Sequence, residues 1–462
     1  MALLSLIALA LAMASSGAAL LPVPVDEFRR AGIPDTFVRR TLDSSSTDKC
    51  TINETFPAPT LPSVFDLLKR SAFVTRKGTQ LYLAGEPFRM TGVNAYWLGV
   101  DENVVPNPSY PSKSRVLQAM ATVSAMRGTT IRSHTLAASA GFPLAVVPEL
   151  DVFNDVAYEP IDFAILAARV YGLKLVIPLT DNYNWYHGGK YQFIKWHGID
   201  FQGQGADITP ADVGAYFYNT TEIVDSFKRF ITHHLSHVNQ YTGIAYKDDP
   251  TILGWETGNE LAATRFRDGP APPAWTKDIA QLLKKLAPKH LVFDGTYGLY
   301  PGTGQLEVKE VDVYSDHFYP LDITKFESGV KLVQAADRVY YAGEFDWTGE
   351  HGGDELDAFL KAVEAQPGAG TAIWSLFGHS DDCCTWVEHG DGFSFYYQRD
   401  EHYIAQGETL IAHAERMNSG KAKPEILPII ACPSLGAGGV AQKLLEPFIP
   451  RGSGGAAILN AL

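Results

Sequence analysis

Between residues 73 and 417, short apolar runs alternate with longer segments in which apolar residues recur every three or four positions. The short runs are typical of buried parallel strands, and the longer segments are typical of helices with one buried face. Eight strands are predicted at about 90–96, 129–134, 173–180, 252–258, 290–295, 311–317, 338–345 and 369–377. Helices are predicted at about 112–126, 159–171, 221–240, 274–287, 323–336, 354–366 and 403–417. The connection at about 296–310 lacks a helical pattern.

This alternation predicts an α/β fold, a (β/α)8 TIM barrel, because right-handed crossovers between parallel strands close most simply into that form. Residues 73–90 precede the first strand and predict a hairpin that turns at Gly78 and Gly85. A doubly wound open sheet is the alternative. It would need a glycine-rich phosphate turn after the first strand, and residues 92–99, GVNAYWLG, do not form one.

Polar and aromatic residues follow the predicted strands at the end where a barrel carries its chemistry. They are Asn94, Tyr96 and Trp97 after the first strand, Arg132 and His134 after the second, Asp181, Asn182, Tyr183 and Trp185 after the third, Asn259 and Glu260 after the fourth, His317 and Tyr319 after the sixth, Glu344 after the seventh, and Trp374 after the eighth. We therefore expect these side chains to meet on one rim.

Aromatic faces beside hydrogen-bonding groups suit a sugar, and two carboxylates can cleave a glycosidic bond. Glu260 and Glu344 are the predicted pair, one as acid/base and the other as nucleophile. Glu256 and Asp346 compete for these roles, since strand parity alone does not exclude them. Opposed strands could hold two carboxyl groups about 5–5.5 Å apart, which favours the retaining mechanism.

At these residues the chain resembles glycoside hydrolase family 5, a family of retaining barrel glycosidases. The resemblance implies that Glu260 is the acid/base, that Glu344 is the nucleophile, and that Arg132, Asn259, His317 and Tyr319 support them. It implies substrate contacts from Asn94, Tyr96, Trp97, His134, Asn182, Trp185 and Trp374. No cofactor and no metal is expected. Arg132 and the Tyr319 hydroxyl are expected to bond Glu344 and lower its pKa, and a raised pKa is expected for Glu260 beside the ionised Glu344.

Within the family the chain is most similar to fungal endo-β-1,4-mannanases. The similarity lies in residues 73–99, in WETGNE at 255–260, and in residues 181–198, although Leu261 stands where those enzymes have proline. The resemblance implies a mannan-type polysaccharide substrate. The alternatives are an exo-acting β-mannosidase, a hydrolase of another β-glycan, and a non-catalytic carbohydrate-binding barrel.

A metal hydrolase on the same barrel is a further alternative. His233, His234 and His237 form the sequence HHLSH, which lacks the glutamate of a zinc-binding HExxH helix. We interpret them as surface and core residues of one helix.

Amino-acid composition limits the classes of molecule that the chain is expected to bind. The 462 residues carry 38 basic and 52 acidic side chains, a net charge of −14, which disfavours nucleic acid and anionic membranes. With 46% hydrophobic and 11% aromatic residues the chain can bury a core. A neutral polysaccharide or oligosaccharide is the expected partner, and the protein is expected to be a monomer.

The ends of the chain predict processing and secretion. Residues 1–19 are apolar and then small, as in a secretory signal peptide. Residues 20–72 are an extension or pro-segment, residues 73–417 the catalytic domain, and residues 418–462 a tail. Asn53 and Asn219 begin glycosylation sequons. An even number of cysteines fits two disulfides with three possible pairings among Cys50, Cys383, Cys384 and Cys432.

Overall fold

The computed structural model describes residues 37–40, 52–56, 71–201, 213–263, 269–381 and 385–419. The predicted signal peptide, all four cysteines and residues 420–462 lie outside these ranges. The first two ranges form an antiparallel pair, Phe37–Arg40 (β1) and Ile52–Phe56 (β2).

Eight parallel strands close into a barrel, which confirms the predicted (β/α)8 fold. The strands are Thr91–Asn94 (β6), Thr130–Arg132 (β7), Lys174–Pro178 (β8), Ile252–Glu256 (β9), Leu291–Phe293 (β10), Val313–Phe318 (β11), Val339–Phe345 (β12) and Gly370–Ile373 (β13). Neighbours along the chain pair with one another, and β13 pairs with β6 to complete the circle, with Thr371 opposite Thr91. The rim formed by the strand ends is therefore continuous.

Helices surround the barrel at the predicted places. They are Lys113–Ala125 (α1), Tyr158–Tyr171 (α2), Thr221–Ser236 (α5), Pro273–Leu286 (α6), Ile323–Ala335 (α7), Leu356–Glu364 (α8) and Glu401–Ser419 (α9). Two short helices in the third connection, Lys190–Trp196 (α3) and Tyr216–Asn219 (α4), were not predicted. The connection after β10 holds only a 3₁₀ turn, Gln305–Glu307, in agreement with its missing helical pattern.

The N-terminal hairpin has three strands rather than two. Val74–Lys77 (β3), Gln80–Leu83 (β4) and Glu86–Phe88 (β5) form an antiparallel sheet. Its Val74 and Leu81 pack in one apolar cluster with residues of the barrel strands, among them Leu253, Phe293 and Val339. The hairpin thus covers the end of the barrel opposite the carboxyl-terminal ends of the strands.

The histidines of α5 are structural. His234 is fully buried with Nδ1 3.3 Å from the Tyr158 hydroxyl, and burial lowers its pKa to about 3. His237 Nε2 lies 3.0 Å from Asp162, and the His233 ring stacks on Phe153. Packing therefore accounts for all three, as the interpretation of HHLSH required.

The helices found among the described residues are all too short or too polar to span a bilayer. The two remaining strands of the described residues, Leu376–Phe377 (β14) and Phe395–Tyr396 (β15), pair in parallel beyond the barrel. They frame the segment that follows β13.

The closing helix α9 is joined to the barrel through a half-buried carboxylate, that of Glu364. Glu364 at the end of α8 accepts hydrogen bonds from Arg416 Nε at 2.7 Å and from His413 Nδ1 at 2.9 Å. His413 Nε2 lies 3.0 Å from the Thr371 hydroxyl in β13. Burial alone would raise the pKa of Glu364, but these two donors lower it from 4.5 to about 2.

We expect Glu364→Gln to reduce the free energy of unfolding by about 2 kcal/mol at neutral pH, because it removes hydrogen bonds to a charged group. A depressed native pKa stabilises the fold above the unfolded pKa, so the difference from wild type should shrink as pH falls from 4.5 towards 2. Urea unfolding at several pH values measures this. Asp357→Asn, which removes the exposed partner of Lys361 on the same helix, is the control and should cost less than about 1 kcal/mol.

Candidate active site

Two buried glutamates face each other at the carboxyl-terminal rim of the barrel. Glu344 is the second-to-last residue of β12, and Glu260 lies four residues beyond β9; each is 5% exposed. One carboxylate oxygen of Glu260 and one of Glu344 lie within 4.8 Å of each other, and His317 offers a nitrogen within the same distance of both. The sequence prediction that these two residues meet is therefore supported by the geometry.

Glu260 is held in an unusual backbone conformation. Its φ is +49°, in the left-handed region where a residue other than glycine costs about 1–3 kcal/mol. Hydrogen bonds on either side fix this segment: Asn259 N donates to Thr180 O and Leu261 N donates to Gly295 O, both at 2.8 Å. The neighbouring connections thus aim the carboxylate into the barrel mouth.

Arg132 occupies the centre of the site and is fully buried. Its Nη1 donates to Glu344 Oε1 and its Nε to Glu256 Oε2, each at 2.7 Å, and its Nη2 donates to Asn259 Oδ1 at 2.8 Å. Burial disfavours its charge, but the attraction of Glu256 and Glu344 outweighs burial and raises the pKa of Arg132. Glu344 shares this partner, but it lines the cleft together with Glu260, whereas Glu256 does not, which distinguishes Glu256 from the facing pair.

The second competitor, Asp346, is also engaged elsewhere. Its carboxylate accepts hydrogen bonds from Thr348 N at 2.7 Å and lies 2.9 Å from His351 Nδ1, in the loop after β12. Asp346 therefore shapes that loop and is not one of the facing carboxylates.

The ionisation of Glu344 differs from the expectation. The Tyr319 hydroxyl donates to Glu344 Oε2 at 3.0 Å, as anticipated. Burial nevertheless raises the pKa of Glu344 to about 7; His317, Arg132 and Tyr319 oppose this rise, and Glu260 adds to it. The expected low pKa of Glu344 is therefore wrong for the unliganded site, because burial and a second carboxyl group favour one proton shared by the pair.

Glu260 receives its own hydrogen bonds. Tyr183 donates its hydroxyl to Glu260 Oε2 at 2.9 Å, and His317 Nδ1 lies 2.6 Å from Glu260 Oε1. Burial lowers the pKa of His317 to about 4, so a neutral imidazole with its hydrogen on Nδ1 donates to Glu260. His317 thus contacts the acid/base candidate directly, beyond the general supporting role expected for it.

The orientation of Asn259 is fixed by Asp181, a polar residue that follows the third barrel strand. Its Oδ1 accepts from Arg132, and its Nδ2 donates to Asp181 Oδ1 at 3.1 Å. Asp181 also lies 2.8 Å from His187 Nε2. The polar run DNYNWYH after β8 carries these residues in the sequence, but only the packed loop shows that Asp181, Tyr183 and His187 face the site.

Two groups among the described residues have the spacing of metal ligands: Glu260, His317 and Glu344, and His134, Asp181 and His187. Arg132 Nη1 lies 2.9 Å from His134 Nε2, which must accept its hydrogen. The His134 hydrogen therefore sits on Nδ1, the atom 3.8 Å from Asp181, and cannot also bind a cation. The first group lies against the Arg132 guanidinium, whose positive charge opposes a bound cation. Neither group fits a metal ion well.

The site opens into a cleft of about 630 Å³. Aromatic rings line two parts of it. Tyr96 and Trp374 stack with centroids 5.4 Å apart, and Tyr183 and Trp185 stack at 5.7 Å. The volume lies within the range of about 300–1,000 Å³ that is usual for small-ligand sites. His134, Asn259, Glu260, Tyr319 and Glu344 also line the cleft.

Three predicted substrate contacts do not line it. Trp97 is 1% exposed, donates to Leu376 O at 3.0 Å and lies under the Arg115 guanidinium, because it points to the opposite side of the chain from Tyr96. Asn94 is fully buried and donates to Gly343 O at 2.8 Å. Asn182, also fully buried, accepts from Ala262 N. These buried side chains stabilise the rim through contacts with neighbouring segments, contrary to the expectation that they contact substrate.

A parallel barrel with paired carboxylates, a buried arginine and aromatic platforms on its carboxyl-terminal rim defines the class of barrel glycoside hydrolases. A family model described as "GH family 5 beta-mannosidase-like" matches residues 71–320, more than half of the chain. The chain belongs to glycoside hydrolase family 5, in this β-mannosidase-like group. The match includes Arg132, Glu260 and Tyr319 and ends before Glu344.

The similar proteins include plant enzymes. The chain is 32% identical over 228 residues to putative mannan endo-1,4-beta-mannosidase 5 of Oryza sativa subsp. japonica, a match over 49% of this chain and 43% of that protein. It is 32% identical over 235 residues to mannan endo-1,4-beta-mannosidase 7 of Arabidopsis thaliana, covering 51% of each. The chain spans about half the length of the curated relatives it matches.

Solved structures share the fold. The endo-1,4-beta-mannanase from Rhizomucor miehei aligns with a TM-score of 0.60 at 25% identity, over 75% of this chain and 99% of that one. A family 5 mannosidase from the same organism aligns with a TM-score of 0.60 at 19% identity, over 76% of this chain and 100% of that one. The second similarity shows the fold alone.

We expect Arg132→Met to lower the free energy of unfolding by about 3–5 kcal/mol, because it leaves Glu256 and Glu344 buried without their cation. Chemical denaturation at neutral pH measures the change. Arg229→Met is the matched control, since it removes an exposed pair with Asp151 and should cost less than about 1 kcal/mol. Equal losses in the two variants would contradict a central stabilising role for Arg132.

Proposed function

We propose that this protein is a retaining β-glycoside hydrolase that cleaves β-1,4-mannan-type polysaccharide with two glutamates. The observation that carries the proposal is the approach of Glu260 and Glu344 to within 4.8 Å, oxygen to oxygen. Carboxyl groups about 5–5.5 Å apart leave no room for a water between one of them and the sugar, whereas inverting enzymes need about 6.5–9.5 Å. The spacing therefore favours a covalent intermediate.

In the first step a Glu344 oxygen forms a bond to the anomeric carbon as the bond to the leaving oxygen breaks. The proton on Glu260 passes to that oxygen, so the leaving sugar departs as an alcohol. In the second step Glu260 takes a proton from water, the resulting hydroxyl adds to the anomeric carbon, and the ester to Glu344 breaks. Both glutamates return to their starting states, and the sugar keeps its configuration.

The hydrogen bonds suit these roles. Arg132 and Tyr319 donate to Glu344, and they stabilise it as the ionised nucleophile when the single shared proton resides on Glu260. His317 and Tyr183 hold Glu260 in place. Asn259, fixed between Arg132 and Asp181, has an amide hydrogen left for the sugar 2-hydroxyl, a contact that strengthens in the transition state.

Mannan is the proposed substrate because the plant relatives described above are named mannan endo-1,4-beta-mannosidases. Another β-glycan is the second candidate. A non-catalytic sugar-binding barrel would have no need of two buried carboxylates, so the presence of both opposes it. We also propose the division into a signal peptide at 1–19, an extension at 20–72, a catalytic domain at 73–417 and a tail at 418–462.

Secretion as a monomeric glycoprotein is part of the same proposal. The sequence of residues 1–19 supports export, and Asn219, at the end of α4, is exposed and accessible to a glycan. Asn53, whose side chain lies outside the described residues, is the second proposed glycosylation site. The four cysteines allow three disulfide pairings.

We expect product release from β-1,4-mannan and glucomannan, and at least about tenfold slower release from cellulose and xylan, because a site built around one set of hydroxyls leaves polar groups unpaired with another. Chromatography of soluble sugars from the four polymers measures this. Faster release from cellulose or xylan than from mannan would reassign the substrate without altering the reaction class.

We expect Glu260→Ala and Glu344→Ala each to lower kcat on mannan by at least about 10²–10⁴-fold while the protein stays folded, since each removes a group required for proton transfer or covalent catalysis. Activity assays with circular dichroism of the variants measure this. Added azide should rescue Glu344→Ala and give a glycosyl azide of inverted configuration. Glu350→Ala, an exposed carboxylate in the loop after β12, is the control. Wild-type turnover by Glu344→Ala, or inversion by the unmodified enzyme, would refute the assignment.

A further inference from the structure

The proposed roles of the two glutamates give the cleft a direction. The leaving sugar must lie on the side of Glu260, which protonates its oxygen, and the donor sugar must lie against Glu344. Trp374 belongs to the donor side: its ring lies 5.4 Å from that of His134, whose Nε2 is 3.8 Å from Glu344 Oε1. The donor sugar therefore sits between Glu344 and the Trp374 face.

Residues 389–393, which follow β13 in the chain, border this donor side; we call them the donor wall. His389 Nδ1 lies 2.8 Å from Asn103 Oδ1 and 3.2 Å from the Tyr96 hydroxyl, so one end of the wall is joined to the loop after β6. In its middle, Asp391 Oδ2 accepts from Trp374 Nε1 at 2.6 Å. The wall is thus bonded directly to the platform on which the donor sugar would stack.

The other end of the donor wall reaches the far side of the site. The Phe393 ring packs edge-on against Tyr319 with centroids 5.0 Å apart, and its carbonyl accepts from Trp347 Nε1 at 2.7 Å. Tyr319 in turn bonds Glu344. Contacts at both ends and in the middle hold the wall across the donor side, from the loop after β6 to the loop after β11.

The donor wall is polar where it faces the cleft. His389, Asp391 and the adjacent Glu102 all line it, and His389 Nε2 lies 3.2 Å from Asp391 Oδ2. A carboxylate such as that of Glu102 suits the free hydroxyls that only the last sugar of a chain presents at its far edge. A longer chain would replace one of those hydroxyls with a glycosidic oxygen and place its next sugar where the wall lies.

The leaving side is built differently. Tyr183, which bonds Glu260, stacks on Trp185, and the Trp185 side chain is 53% exposed among the described residues. An exposed indole beyond the acid/base suits the apolar face of a sugar in the remainder of the chain. The two sides therefore offer an enclosing polar contact to the donor and a flat apolar contact to the leaving chain.

We infer that the donor wall limits the donor side to a single sugar, so that this enzyme removes mannose units one at a time from the non-reducing end. This inference rests on the proposed function and specifies its mode of action. His389 and Asp391 would act as positioning residues, because their bonds to Asn103, to Trp374 and to each other hold the wall where a further sugar would lie.

The test is the order of products from β-1,4-mannohexaose tagged with a fluorescent amine at its reducing end. We expect free mannose and a tagged five-sugar chain first, followed by tagged chains of four and three sugars. Tagged fragments of four sugars or fewer as the first products would overturn the inference and leave the proposed function standing. No cleavage of mannohexaose or of an aryl β-mannoside would overturn the proposed function and the inference together.

A pair of variants tests whether the donor wall is what restricts the donor side to one sugar. His389→Ala should release mannobiose among the first products and lower kcat/KM for an aryl β-mannoside about tenfold, since it removes the hydrogen bonds that hold the wall to Asn103 and to Asp391. Glu388→Ala is the matched control: its side chain is 64% exposed, faces Arg399, and should leave the product order unchanged. A wild-type product order and kcat/KM in a folded His389→Ala would refute the role of the wall.

Discussion

The site depends on a single buried cation. Arg132 links β7 to the side chains of Asn94 on β6, Glu256 on β9 and Glu344 on β12, so one guanidinium joins four of the eight strands. Its planar fork of donors can satisfy several acceptors at fixed angles, which a lysine could not do. Without it, two carboxylates would be buried near one another with no compensating charge. The arginine therefore both stabilises the rim and sets the charge balance of the reaction centre.

That balance explains why the two proposed catalytic glutamates differ in role although both are buried. Arg132 serves two carboxylates at once, Glu256 and Glu344, so it does not fully offset the desolvation of Glu344, whose pKa rises to about 7. A carboxyl group held near neutrality beside another one allows a single proton to be placed on either member. The arrangement suits a mechanism in which one glutamate must be ionised while its neighbour is protonated.

The barrel confines this chemistry to one end. At the opposite end the hairpin residues Val74 and Leu81 fill the opening with apolar side chains. At the catalytic end, the loops after β6, β8 and β13 determine the shape of the cleft. The strands of this barrel therefore fix the positions of Arg132 and the two facing glutamates, while the loops shape the cleft in front of them.

Much of this followed from the sequence alone. Apolar runs such as ILGWE at Ile252–Glu256 predicted the strands, and strand order predicted that Arg132, Glu260 and Glu344 would meet, because parallel strands deliver their ends to one rim. The tertiary structure decided what depends on contacts distant in the chain. The packing of distant segments placed Trp97 in the core and fixed the orientation of Asn259 through Asp181. Burial raised the pKa of Glu344, and loop packing brought His389 and Asp391 to the cleft. Sequence periodicity records which face of an element is buried, whereas desolvation and loop packing arise only when segments far apart in the chain come together.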